Sequence, residues 1–325
     1  MALTIALLLS NPACRPDGES VISIGAMPPG TSWYVFGATL ATLLEDSLPD
    51  GMRVEVVARG GGIGNPILVD RGEQSIALSQ AATATWAFNG DPVAYGGRKH
   101  QNIRALVGGL NRVWMVAIFT ESYLAETGNR TLGEALRSED APRIVMKPQG
   151  STVPVVAEIL FDALGTSSED VRARGGDIIQ VSANQIPSIL RDGRADLYLE
   201  TAIRGHPTLT EVTTTTPMSF VDFPQKAIER LSGPGITRVP MPVWFKGQAK
   251  PIDSVDMGTV LITHSGLAPD LAYLITKTIC ENTAAMAAAH RAWADFVPEQ
   301  GGLLEKTGVP LHPGAERYFR ERGWL

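Results

Sequence analysis

The hydroxyl pair Thr31-Ser32 follows Pro28-Pro29-Gly30 and precedes Trp33-Tyr34, and its chemistry is the holding of an anion. A small-residue turn that opens a helix leaves backbone N–H groups unpaired, and the helix dipole points the same way. Thr31 and Ser32 stand where N-cap residues stand. Gly25, Gly30 and Ser32 resemble a nucleotide P-loop, but Thr31 occupies the place of the phosphate-binding Lys, which argues against a nucleoside triphosphatase. An ordinary βα turn would carry the same residues, so this stretch alone does not separate a ligand cradle from a scaffold.

Residues suited to covalent or metal chemistry do not assemble. His100, His206, His264, His290 and His312 are scattered, with no two-ligand helical spacing, so no metal site is expected. No Gly-x-Ser-x-Gly elbow precedes a helix. The pairs Glu45-Asp46 and Glu169-Asp170 fall at helix ends or turns and read as solvated. His206 before Pro207 can line a cleft or serve as a hydrogen-bonded loop histidine, and Trp33-Tyr34 can stack on a ligand or seat the helix. No nucleophile, base and oxyanion site emerges, so neither enzyme activity nor a cofactor is expected.

The elements that would position these residues repeat one grammar. Residues 21–25 form a β-branched run, and Val35, Leu40, Leu43 and Leu44 then show helical spacing. A second strand at 53–58 leads into the glycine-rich loop Gly60-Gly61-Gly62-Ile63-Gly64-Asn65-Pro66 and a helix ending at Gly72. A third strand at 75–79 reaches Gln80 and a helix over 81–88. Strand, loop and helix three times over predict a parallel sheet, whose ligands bind outside the carboxyl ends of the strands. The loops at 30–32, 60–65 and Gln80 are those ends.

Apolar strands at 103–110 and 113–120 lead into a second series. A helix at 131–137, a strand at 143–147, the loop Pro148-Gln149-Gly150-Ser151-Thr152 and a helix at 153–164 open it. A strand at 177–181, a helix at 184–191 and a strand at 195–200 complete it. The Gly150-Ser151-Thr152 loop echoes Gly30-Thr31-Ser32. The threonine- and proline-rich stretch 213–251 predicts connections with short strands. A strand at 257–263, one long helix at 269–290 and a short closing helix follow.

A chain of 325 residues accommodates two domains, and 44% hydrophobic with 19% charged residues describes a globular protein. Lys and Arg number 28 against 34 Asp and Glu, a net charge of −6, which argues against a nucleic-acid partner. Beyond the first residues no apolar run approaches the roughly 20 needed to span a bilayer. Residues 3–9 are apolar, and Ser10-Asn11-Pro12-Ala13-Cys14 and a polar stretch follow, so residues 1–20 read as a remnant export signal lacking its basic front end. An extracytoplasmic location is expected. Cys14 after Ala13 suggests lipid modification, although Asn11 and Pro12 fit that processing poorly. With Cys280 the only other cysteine, no disulfide framework is expected.

The series Gly25…Pro29-Gly30-Thr31-Ser32-Trp33-Tyr34…Gly37…Leu40-Ala41 resembles the opening motif of TAXI-type solute-binding proteins, the extracytoplasmic receptors of tripartite ATP-independent periplasmic (TRAP) transporters. Gly60-Gly61…Asn65, Ala77…Gln80, Asn89-Gly90, Gly150-Ser151-Thr152, Asp192-Gly193-Arg194-Ala195-Asp196 and His312-Pro313-Gly314-Ala315…Tyr318 continue the likeness in order. The resemblance implies a type II periplasmic-binding-protein fold: two α/β lobes joined by crossing hinge strands and closing on a small ligand. It places residues 21–112 with 264–325 in lobe I and 113–263 in lobe II, with hinges near 110–113 and 263–266. It also implies a periplasmic receptor, monomeric, that delivers a small organic acid or amino acid to TRAP-type permease subunits.

Thr31, Ser32, Tyr34, Asn65, Gln80, Gly150 and Ser151 carry over as ligand contacts. Gly30, Trp33, Arg59, Gly62, Thr152 and His206 join them from their own positions. The chain departs from the family at Arg59 and Gly62, where Thr-x-Gly-Ser is usual, and at Ala81-Ala82, where a Ser-Asp pair is usual. Losing that hydroxyl and carboxylate removes partners for an ammonium, so an acid lacking one is expected, with Arg59 an added cation if it points inward. The alternative is an enzyme or a ligand-sensing regulatory domain on the same two-lobed fold.

Overall fold

The computed structural model describes residues 20–325, so the expected export segment and Cys14 lie outside the described residues. Four strands open the chain: β1 (Ser20–Gly25), β2 (Met52–Val57), β3 (Ile76–Gln80) and β4 (Ile103–Val107). Five follow: β5 (Trp114–Thr120), β6 (Arg143–Met146), β7 (Asp177–Gln180), β8 (Leu197–Ala202) and β9 (Met218–Val221). The short β10 (Thr237–Arg238) and β11 (Val255–Asp256) precede β12 (Thr259–His264).

These strands form two sheets. The first has the order β2-β1-β3-β12-β4, and the second β10-β11-β5-β8-β6-β7 with β9 beside β5. Each contains a parallel trio, β2-β1-β3 in one and β7-β6-β8 in the other. Each trio is flanked by an antiparallel strand that the chain supplies after passing through the other half, β12 beside β3 and β5 beside β8. The result is two α/β lobes of like topology joined by crossing strands. Strands β3 and β5 are buried along their whole length, which accounts for their near-continuous apolar sequences.

The helix Ser32–Glu45 lays Phe36, Leu40 and Leu44 into one core with Ile22 and Ile24. The helices Pro269–Glu281 and Pro313–Glu321 add Ile275, Ile279, Tyr318 and Phe319 to that core, so the C-terminal segment completes the first lobe. Cys280 lies buried in the same core, where burial, followed by the charge of Glu281, pushes its thiol up to about 12.

The crossing segments lie close together. Leu110 N donates to Thr259 O at 3.0 Å, Thr259 N to Asn111 O at 3.0 Å and Met257 N to Val113 O at 2.8 Å. Oδ1 of Asp256 accepts from Val113 N at 2.8 Å and Gly258 N at 3.0 Å. The second crossing therefore falls at 257–258, not at the expected 263–266. Strand β12 pairs with both β3 and β4 and belongs wholly to the first sheet.

Two helical readings also change. The expected single helix over 269–290 is two, Pro269–Glu281 and Thr283–Ala289, because Asn282 leaves helical geometry and its Nδ2 donates to Thr278 O at 2.7 Å. Conversely, the threonine run expected as connection is helical, Pro207–Thr215. The hydroxyls of Thr213, Thr214 and Thr215 donate to the carbonyls of Leu209, Thr210 and Glu211 at 2.6–2.9 Å, while Leu209 and Val212 are buried. Burial of that face overrides the low helix preference of β-branched residues. No helix among the described residues is long and apolar enough to cross a membrane.

Candidate functional site

Four helices begin at one cavity between the lobes. Their N-cap residues are Thr31 for Ser32–Glu45, Gln80 for Ala81–Asn89, Thr152 for Val153–Ala163 and His206 for Pro207–Thr215, and all four line it. They follow the carboxyl ends of β1, β3, β6 and β8, where α/β sheets place ligands. Each helix start brings roughly half a positive elementary charge in partial charges. The cavity volume is about 40 Å³.

The caps are tied locally. Thr31 Oγ1 donates to Pro28 O at 2.8 Å and accepts from Tyr34 N at 3.3 Å. Nδ1 of His206 accepts from Leu209 N at 3.2 Å, which assigns the ring proton to Nε2. Burial, helped by the Lys147 and His290 charges and opposed by Glu200, lowers the His206 pKa to about 4, so the ring is neutral near pH 7. Ser32 is also a lining residue, and its Oγ is buried with no hydrogen-bond partner among the described residues. A buried hydroxyl left unpaired in a native fold calls for an explanation, and a ligand supplies one.

One formal positive charge lines the cavity. Lys147 follows β6, is 6% exposed, and places Nζ 2.6 Å from Oε1 of Glu200 on β8. The fully buried Glu200 also accepts from Tyr198 Oη at 2.7 Å, Thr201 N at 2.7 Å and Thr201 Oγ1 at 3.1 Å. Burial pushes the Glu200 carboxyl up. The nearby Lys147 ammonium, the His206 ring and the hydrogen bonds from Lys147 and Tyr198 together outweigh burial and hold it below the ordinary carboxylate range. Glu200 sits behind Lys147, outside the cavity wall.

The lobes touch directly across the cavity mouth. Thr152 Oγ1 donates to Gln80 Oε1, and Gly150 O accepts from Ile63 N at 3.1 Å and Gly64 N at 3.3 Å. Glycine is required at 61, where φ is +138° and a Cβ would lie 2.7 Å from Gly150 O; a Cβ on Gly62 would displace the Thr152 hydroxyl and lie 2.6 Å from Gln80 Oε1.

A family profile described as the NMT1-like family matches residues 24–323. The chain belongs to the NMT1-like family. Among solved structures, a protein from Bordetella bronchiseptica RB50 aligns with a TM-score of 0.55 at 12% identity, covering 94% of this chain and 99% of that one. MatC from Rhodopseudomonas palustris, solved with bound malate, aligns with a TM-score of 0.54 at 11% identity, covering 94% and 97%. At such identities the likeness is one of fold, and the fold is the two-lobed periplasmic-binding-protein type.

In this NMT1-like chain Thr31, Ser32, Trp33, Gly62, Gln80, Ser151, Thr152 and His206 line the cavity, brought there from both lobes. The other expected positions fall elsewhere. Gly30 is exposed in the turn and Tyr34 is half-buried outside the cavity wall. Arg59 points to solvent, 3.8 Å from Glu73, and adds no cation to the site. Asn65 is scaffold: its Nδ2 donates to Leu78 O at 2.8 Å and its Oδ1 accepts from Gly61 N at 3.2 Å, pinning the glycine loop. Gly150 acts through its carbonyl at the lobe contact.

Lys147 and Thr201 in the wall, with Glu200 and Tyr198 behind, escaped the sequence reasoning. The available signal was positional. Lys147 closes an apolar strand directly before the Gly150-Ser151-Thr152 loop, and Glu200 closes another that reads as buried. No cluster of three or more His, Cys, Asp or Glu able to hold a metal ion occurs among the described residues.

Proposed function

We propose that this NMT1-like protein is an extracytoplasmic solute receptor that captures a small organic anion between its lobes and hands it unchanged to a TRAP-type membrane permease. The observation that carries this reading is the convergence of four helix N-termini on one cavity that also holds Lys147 and the unpartnered Ser32 hydroxyl. Unpaired N–H groups and aligned dipoles favour negative charge, and a site that excludes water strengthens each hydrogen bond. Thr31, Ser32, Gln80, Ser151, Thr152 and His206 are the proposed neutral contacts. The malate held by MatC, on the same fold, supports an organic acid as the guest.

Non-catalytic binding accounts for the remaining chemistry. His206 commits Nδ1 to its helix, and the Glu200 carboxylate is saturated by its own lobe, so neither is available as a general base. The crossing strands at 110–114 and 255–259 are the proposed hinge. The resemblance to TAXI receptors supports the TRAP-type partner and the export-like leader supports the location.

Thermal-shift screening of the purified chain against small organic acids and amino acids tests the receptor role. A ligand at a hundredfold its Kd raises the unfolding free energy by about 2.7 kcal/mol. The permease assignment is tested by reconstituting the TRAP-type permease encoded nearest this gene into liposomes and measuring uptake with and without the receptor. Turnover of the captured acid, detected by mass spectrometry, or uptake indifferent to the receptor would overturn the proposal.

A further inference from the structure

We infer that Lys147 is the charged contact for the ligand, that Glu200 is its positioning residue, and that the site selects small monocarboxylates lacking an ammonium group. This rests on the receptor reading and narrows it to a ligand class.

The donors and acceptors facing the cavity are unequal. Lys147 Nζ, His206 Nε2–H and the Ser32 hydroxyl can donate to a guest. No Asp or Glu is among the lining residues. Glu200 cannot receive a ligand's ammonium, because it is wholly buried behind Lys147 and its oxygens are taken by Lys147, Tyr198 and Thr201. Ser151 Oγ spends its proton on Pro148 O at 2.7 Å, leaving a neutral acceptor that suits a hydroxyl. A buried ammonium needs an opposite charge, and the wall has none to give.

Charge and size set the other limits. Lys147 is the only formal cation in the wall, and Glu200 already balances it, so a second carboxylate would enter without a second cation. The cavity, at about 40 Å³, favours a small acid over a bulky one. Glu200 fixes the ammonium: Lys147 Nζ sits 2.6 Å from Oε1 and donates a second proton to Thr201 Oγ1 at 3.4 Å, which leaves its third proton for a guest.

Isothermal titration of the full chain with pyruvate, lactate, alanine, glutamate and succinate tests the inference. Pyruvate or lactate should bind most tightly, with alanine and glutamate at least about thirtyfold weaker, the loss expected for a buried charge left unpaired. Lys147→Met should weaken pyruvate binding by a similar factor. Because that variant strands Glu200 and can unfold, Lys147→Met/Glu200→Gln removes both charges together and should show the same loss in a folded protein. Glu200→Gln leaves one net positive charge in the site, so the ratio of succinate to pyruvate affinity should rise, a readout that a merely structural role would not move; Glu200→Asp should restore the original ratio. Preference for an amino acid or for succinate, or wild-type affinity in the doubly neutral variant, would overturn the inference and leave the receptor reading standing. Absence of binding by every acid, with no thermal shift in the wider screen, would overturn both.

Discussion

The two lobes share a topology and differ in what they bring to the cavity. The first contributes Thr31, Ser32, Gly62 and Gln80, all neutral, held by helix caps and a glycine loop. The second contributes Lys147 and His206, backed by Glu200, Tyr198 and Thr201 on β8. The charge is therefore assembled inside one lobe, while the other offers shape and neutral donors. Under the proposed receptor role, the charged lobe would engage an anion first and closure would add neutral hydrogen bonds as water leaves. A division of this kind keeps Lys147 paired with Glu200 inside one lobe, so no protein ion pair has to form across the cavity.

Acid should have the largest effect, and it acts on the second lobe, where the ionisable groups of the cavity lie. His206 falls from its ordinary 6.5 to about 4 in the folded protein, so the unfolded chain binds its proton first as pH drops. The associated stability is complete above 6.5 and is lost as pH falls towards 4, a change of roughly 3 kcal/mol. Glu200, held low, adds a loss of the same sign at the acid end. Denaturant titrations across this range should show the decline, and His206→Gln should flatten much of it. An unchanged slope in that variant would return the effect to other groups.

Gly62→Ala disturbs the neutral side. Its new methyl meets Thr152 and Gln80 where the lobes touch, and overpacking of about 1–3 kcal/mol should appear as a roughly five- to 150-fold loss of ligand affinity. Small-angle scattering should show the variant remaining more extended with ligand present. Ser32→Ala probes the first lobe without crowding it. The hydroxyl has no partner within the protein, so unfolding free energy should stay within about 0.5 kcal/mol while ligand affinity falls by about 1 kcal/mol, close to fivefold. Arg59→Ala should do least, with binding changed less than about twofold by calorimetry, because its exposed pair with Glu73 is a surface contact away from the cavity.

What could be read in the sequence follows from which physical signals are local. Turn chemistry is local, so the hydroxyls and amides at 31–32, 80 and 150–152 and the strands before them are visible in a single chain. Burial of charge is not local. Lys147 at a strand end looks like any solvated lysine until β8 places Glu200 beside it. Asn65 shows the reverse ambiguity, since a polar side chain in a glycine loop can serve to satisfy Gly61 N and Leu78 O as well as to meet a ligand. The second crossing was misplaced because strand β12 announces its hydrophobicity but not its neighbours. The threonine helix was hidden because its hydroxyls are satisfied by carbonyls one turn back, which composition cannot reveal.

The links between the lobes are stitched to one another, with Leu110, Asn111 and Val113 bonded to Met257 and Thr259 and the Asp256 carboxylate clasping Val113 and Gly258. Joined in this way they form a ribbon and not two loose cords. A ribbon bends about its width far more readily than it shears within its plane, so in the proposed closure sideways slippage between the lobes would be resisted. Closure would then bring the Gly150 carbonyl opposite the amides of Ile63 and Gly64, tooth to socket.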